Sequence, residues 1–192
     1  MPVPIVNVDY GSTNYYAIAY KPKQYFLVDC GWPGTLGKLK HECKLKGIDL
    51  SQIKYFLVTH FHPDHAGLTQ ELVNVGIRLL LLETQVESAE QLKNIMKKDS
   101  GYVDIEVAGM DAIPVHDSRE KLKSIGIDGE VISTPGHSPD SITLILDEGI
   151  AFTGDLTPEI ALPDDDIICR DSWKKIRNKK AIKIYPGHGK AK

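Results

Sequence analysis

The sequence predicts a mixed α/β (α+β) fold, and its order of segments supports two sheets sandwiched between helices. Three observations carry this. Short apolar runs recur along all 192 residues, punctuated by Gly, Pro and Asp. Stretches with helical apolar spacing lie between them. The order of strands followed by helix and strand occurs once in each half.

Residues 3–8, 15–20 and 25–28 read as consecutive antiparallel strands with a turn at Lys21-Pro22-Lys23. Residues 34–46 read as a helix, with Leu36, Leu39 and Cys43 on one stripe. A continuous apolar strand over 53–59 runs into His60. A short helix over 68–75 and a buried strand over 77–82 follow. Residues 84–97 form the next predicted helix, with Thr84 as N-cap and Glu87 three positions on, the pattern of a capping box. Residues 98–116 are irregular and 118–125 suit a short helix. Short strands are expected over 131–133, 142–146 and 150–152, a helix over 172–178 and a last strand over 181–185. No linker or low-complexity stretch divides the chain, so a single domain over 1–192 is expected.

Composition narrows the function classes. Hydrophobic residues make up 42% and charged residues 26%, an ordinary globular mix. No apolar run is long enough for a membrane helix, and residues 1–20 lack the basic start and apolar stretch of a secretory signal. Cys30, Cys43 and Cys169 are too few and too scattered for a disulfide framework, which favours reduced thiols and a cytoplasmic location. The net charge of −3 provides no general field for nucleic acid, so a small-molecule substrate is expected. A homo-oligomer is compatible with the sequence.

The seven histidines are more informative. His41 and His116 lie in polar surroundings and read as surface residues; the other five fall in three short motifs. The strongest is Thr59-His60-Phe61-His62-Pro63-Asp64-His65-Ala66-Gly67. Alternate side chains of an extended segment point the same way, so His60 and His62 can bind one cation together. Pro63 turns the chain, and Asp64 and His65 then point elsewhere, suited to a second cation nearby. Three imidazoles and a carboxylate within six residues match the nitrogen and oxygen preference of zinc.

His60-x-His62-x-Asp64-His65 after an apolar strand resembles the signature of the metallo-β-lactamase superfamily. Thr134-Pro135-Gly136-His137, Thr153-Gly154-Asp155 and Pro186-Gly187-His188-Gly189 resemble its later ligand loops in order. Val28-Asp29-Cys30-Gly31 resembles a strand-end element of the superfamily, with Cys30 in place of the usual threonine. The resemblance runs from about Val28 to Gly189 and implies the superfamily's αββα sandwich. It implies that His60, His62 and His137 hold one metal, that Asp64, His65 and His188 hold a second, and that Asp155 bridges both. Two zinc ions are expected, with iron or manganese as alternatives. A hydroxide shared between the metals would be the nucleophile, with Asp64 orienting it and accepting a proton later. Asp29 is expected behind a ligand, orienting it or the motif loop.

The superfamily's fold does not choose a substrate. The position of a cysteine ligand in well-known zinc β-lactamases is Asp155 here, which argues against that activity. The motif set resembles glyoxalase II-like and other small hydrolases, but their helical C-terminal domain is not expected, since the sequence stops four residues after His188. Ribonuclease Z-like enzymes carry a basic RNA surface; the cluster Lys174, Lys175, Arg177, Lys179, Lys180 and Lys183 reads instead as a solvated helix face. Hydrolysis of a thioester, lactone or related ester-like bond is the leading expectation. The alternatives are an iron-dependent oxidoreductase like the persulfide dioxygenases, and a phosphodiesterase or ribonuclease Z-like nuclease. The pocket wall is expected from residues 98–116 and 156–167, with Leu156, Ile160 and Leu162 as apolar lining and Tyr102 within reach of an oxyanion.

Overall fold

A computed structural model describes residues 3–96 and 101–191. The first sheet has five strands, β1 (Ile5–Asn7), β2 (Tyr16–Lys21), β3 (Gln24–Val28), β4 (Ile53–Leu57) and β5 (Arg78–Leu79), ordered as in the sequence. β1, β2 and β3 pair antiparallel, as the turn at Pro22 predicts, whereas β3–β4 and β4–β5 are parallel. Helix α1 (Leu36–Leu45) makes the β3–β4 crossover. Two short helices, α2 (Pro63–Ala66) and α3 (Thr69–Asn74), make the next crossover, and α4 (Val86–Ile95) follows β5. In the second half, α5 (Ser118–Ile125) leads into a four-stranded sheet, β6 (Gly129–Ser133), β7 (Ile142–Leu146), β8 (Ile150–Gly154) and β9 (Lys183–Pro186). Helix α6 (Ile167–Asn178) crosses from β8 to the parallel β9.

The period-two alternation of strand side chains explains the layering. Tyr16, Ile18, Phe26, Val28 and Leu57 point to one face of the first sheet and pack against Ile142, Leu144, Leu146 and Phe152 of the second. Ala17, Leu27 and Phe56 point the other way, into a core closed by Leu39 and Cys43 of α1, Leu72 of α3, and Ala89 and Leu92 of α4. On the outer face of the second sheet, Ile145 and Ala151 meet Cys169, Trp173 and Ile176 of α6. The order is helix, sheet, sheet, helix.

Several local expectations are corrected. Thr84 and Glu87 form no capping box. Residues Glu83–Gln85 make a 3-10 turn, and α4 starts at Val86 without a side-chain cap. The cause is tertiary: Gln85 is buried and its amide donates to Val58 O at 2.8 Å, which ties the chain down ahead of the helix. A capping box does form at Asp49 and Gln52, around a 3-10 turn. Lys97, the expected end of α4, lies outside the described residues, as do residues 98–100 of the irregular stretch. Only Arg78–Leu79 of the strand expected over 77–82 joins the ladder. α6 begins at Ile167 rather than at 172, because the Asp166 carboxylate accepts a hydrogen bond from Cys169 N and caps the helix there.

Candidate metal centre

The ends of β4 and β8, and the loops after β6 and β9, converge at one edge of the sandwich. They bring together all seven residues singled out from the sequence, in two groups. His60, His62 and His137 offer nitrogen atoms within 4.8 Å of one another; Asp64, His65, Asp155 and His188 do the same with nitrogen and oxygen atoms. His62 Nδ1 and His137 Nε2 lie 2.9 Å apart.

Asp155 lies between the groups. Its Oδ2 is 3.9 Å from His60 Nε2, 3.7 Å from His137 Nε2 and 3.2 Å from His188 Nε2. Its Oδ1 is 3.2 Å from His65 Nε2. The chain approaches very closely here: a Cβ at Gly187 would collide with Asp155 Oδ1 and His65 Cε1, and one at Gly154 with the Thr59 side chain.

Two of the imidazoles, those of His65 and His188, are oriented from behind. Asp29, at the end of β3 with φ 61°, accepts from Thr59 N at 2.6 Å, from Thr59 Oγ1 and from His65 Nδ1 at 2.8 Å. It therefore both holds the motif loop and turns His65 Nε2 toward the site. His188 Nδ1 donates to the carbonyl of Ser12 at 2.7 Å, which leaves Nε2 bare toward Asp64 and Asp155. Thr13 Oγ1 donates to Asp64 Oδ2 at 3.1 Å. Asn14 N donates to Gly187 O, and the Asn14 amide to Pro186 O and Gly189 O, so the β1–β2 loop clamps the His188 loop.

The electrostatics follow from burial and crowding. Burial drives His60 well below its ordinary pKa, reinforced by repulsion from His65, and Asp155 only partly opposes this. Burial also lowers His137. For His65 burial is outweighed by Asp29 and Asp155, which raise it to about 10. Burial pushes Asp155 up, but the close approach of His65 outweighs it and brings the carboxyl to about 2.

The donor set suits divalent metal: five imidazoles and two carboxylates, of the nitrogen and oxygen type that zinc and related ions take. His60 Nε2, His65 Nε2 and Asp155 Oδ1 are buried, aimed into the cluster and without hydrogen-bond partners. His65 Nε2 and Asp155 Oδ1 are 3.2 Å apart yet not aligned as donor and acceptor. Buried polar atoms rarely go unpartnered, and a cation held by each donor group would satisfy all three.

Asp140 has a part that the sequence analysis did not single out. The Ser138 hydroxyl, two residues earlier, simply meets that of Ser141. Asp140 is instead buried and accepts from Phe61 N at 2.7 Å, bracing the backbone between His60 and His62. Thr13 and Asn14 were missed; the signal was a polar Gly11-Ser12-Thr13-Asn14 run that reads only as a turn. The pocket wall is corrected too. Tyr102, Ile105, Val107 and Met110 pack on the core behind the first sheet. A groove of about 540 Å³ beside His188 is lined by Leu156 and Ile160, as expected, but not by Leu162.

Fold and site together define a metal-dependent hydrolase built on an αββα sandwich. The family model of the metallo-beta-lactamase superfamily matches residues 8–188, and the chain belongs to that superfamily. It is 32% identical over 198 residues to a probable metallo-hydrolase of Methanocaldococcus jannaschii, covering 94% of this chain and 88% of that one. It is 31% identical over 156 residues to a flavo-diiron protein of Clostridium acetobutylicum, covering 79% of this chain but only 35% of that protein. Among solved structures, a B3 metallo-beta-lactamase superposes with a TM-score of 0.73 at 22% identity, over 98% of this chain and 93% of that one, a likeness of fold. Among the described residues no helix is long and apolar enough to cross a membrane.

Proposed function

We propose that the chain uses two divalent ions, zinc by preference, to hydrolyse an ester-like bond in a small molecule: a thioester, a lactone or a related acyl compound. The observation that carries this is Asp155, whose two oxygens face both donor groups at once, with His60 and His137 on one side and His65 and His188 on the other. When bound, such a pair of ions lowers the pKa of a shared water toward about 7 and polarises the substrate's carbonyl oxygen.

The residues of this chain supply the rest. His60 and His65 are buried and close the rear of the site against solvent, while the more exposed His137 and His188 face the opening. Asp64, held by Thr13, places a carboxylate beside His188 and His65, where it can orient a water and take up its proton. The two aspartates offset part of the charge of two dications. Three of the six basic residues between Lys174 and Lys183 are tied to the protein itself: Lys175 to Ser133 O, Arg177 to Glu159 and Lys179 to Glu130. This favours a small-molecule substrate over nucleic acid.

A second reading, an iron-dependent oxidoreductase, draws support from the similarity to the flavo-diiron protein. Metal analysis of the purified protein, with hydrolysis of aryl esters, lactones and thioesters assayed beside oxygen uptake on a persulfide, separates the two. Acyl hydrolysis without oxygen uptake is expected. Oxygen-dependent turnover with bound iron and no hydrolysis would overturn the proposal.

A further inference from the structure

The groove beside His188 is lined by the loop after β8, by β9 and by α6. Leu156, Trp173, Ile184 and Pro186 supply its apolar lining, and His188 belongs to both the groove and the metal centre. The Trp173 ring is fixed because its Nε1 donates to Thr157 O at 2.8 Å. Ile160 also lines the groove and is 94% exposed, a large apolar side chain left in water. Glu159, also in the lining, is engaged with Arg177. A volume of about 540 Å³ lies within the size range of small-molecule sites.

We propose that this groove binds the apolar chain of the substrate's acyl group, so that acyl compounds with a medium-length aliphatic chain are preferred over acetyl compounds. The proposal rests on the hydrolase reading for the identity of the reacting bond; the groove supplies the specificity. His188, shared by the groove and the second donor group, points to the occupant. A chain lying on Trp173 and Ile184 has its carbonyl end at His188, where the His188 and Asp155 side chains meet. Ile160 would then cover the chain, removing from water both its own side chain and the methylenes beneath it.

The test uses binding and turnover together. The chain has two tryptophans, so Trp32→Phe leaves Trp173 as the reporter. Decanoate should change Trp173 emission saturably, octanoate should bind more weakly and acetate should have no effect. For aryl esters, kcat/KM should rise about two- to fourfold per methylene from acetate to octanoate, the gain from burying each group. Because Ile160 is so exposed, Ile160→Ser should leave folding intact, weaken decanoate binding about three- to tenfold and flatten the chain-length series, while Ile160→Phe restores both. Hydrolysis with a flat chain-length series would overturn the groove and leave the hydrolase reading standing. Saturable decanoate binding without turnover of any acyl ester would support the groove and sink the hydrolase reading. A concentration-dependent dimer dissolved by Ile160→Ser would identify the occupant as a second copy and overturn the proposal.

Discussion

Replacing Asp29 with Asn changes one charge behind the metal centre and replaces none of the seven residues that face it. The carboxylate accepts from Thr59 N, Thr59 Oγ1 and His65 Nδ1, and its two oxygens divide these donors. Asn keeps one acceptor oxygen, which the backbone N–H of Thr59 would retain, and turns an NH₂ group toward His65. His65 must then take the other tautomer, with its proton on Nε2 pointing into the site, or face donor against donor. Either outcome weakens its lone pair as a metal ligand. A hydrogen bond to a charged partner contributes about 1.5–3 kcal/mol. Loss of such a supporting group costs about ten- to a hundredfold in metal affinity. Tenfold in affinity equals about 1.4 kcal/mol, so the two scales agree. The assay is competition with a chromophoric chelator, resolved into two binding steps. Asp29→Asn should weaken the step assigned to Asp64, His65 and His188 and leave the other nearly unchanged. Equal, wild-type affinities at both steps would refute the orienting role of Asp29.

Other outcomes follow from the same geometry. His60→Ala and His188→Ala each remove a donor from a different group, so each should lower metal content, abolish most activity and lower the melting temperature of the metal-loaded protein; His188→Ala with wild-type metal content and rate would show the second group to be misassigned. Asp140→Ala leaves Phe61 N buried without its acceptor and should cost about 1–3 kcal/mol in urea unfolding, with weaker metal binding at His60 and His62. In the metal-free protein His65 is raised from 6.5 to about 10, so the stability it contributes is complete below pH 6.5 and lost as pH rises toward 10. Melting temperatures of metal-free protein across that window should fall, and a flat profile would contradict the Asp29–His65 pair. Turnover of a chromogenic cephalosporin should be negligible beside aryl ester hydrolysis, because Asp155 stands where the resemblance to zinc β-lactamases would require cysteine.

Much of the centre was legible because its residues lie where apolar strands end. The run over 53–59 delivers His60, and the strands before Asp155 and His188 do the same from the second sheet. The layers were legible from strand alternation at Tyr16, Ile18, Phe26 and Val28. What stayed hidden depends on contacts between distant parts of the chain. Asp140 acts on a backbone N–H 79 positions away, and the Asn14 side chain on carbonyls 172 and 175 positions away. Short polar residues beside Gly or Pro read locally as turns, and no periodicity distinguishes a turn from a clamp. The first turn of α6 was missed because Ile167 and Ile168 are exposed and disturb its apolar stripe. The Thr84 capping box failed because the burial of Gln85 outweighed a local preference.

Metal stoichiometry, measured by elemental analysis on wild type and Asp155→Asn side by side, tests the central claim most directly. Asn keeps the size and one acceptor oxygen of the aspartate side chain but removes its charge. The account predicts about two transition-metal ions per chain in the wild type, mainly zinc, one at each donor group. Asp155→Asn should lose one of them preferentially, with hydrolysis falling by on the order of 10²-fold or more. A wild type holding a single iron, with oxygen-dependent turnover, would contradict the account.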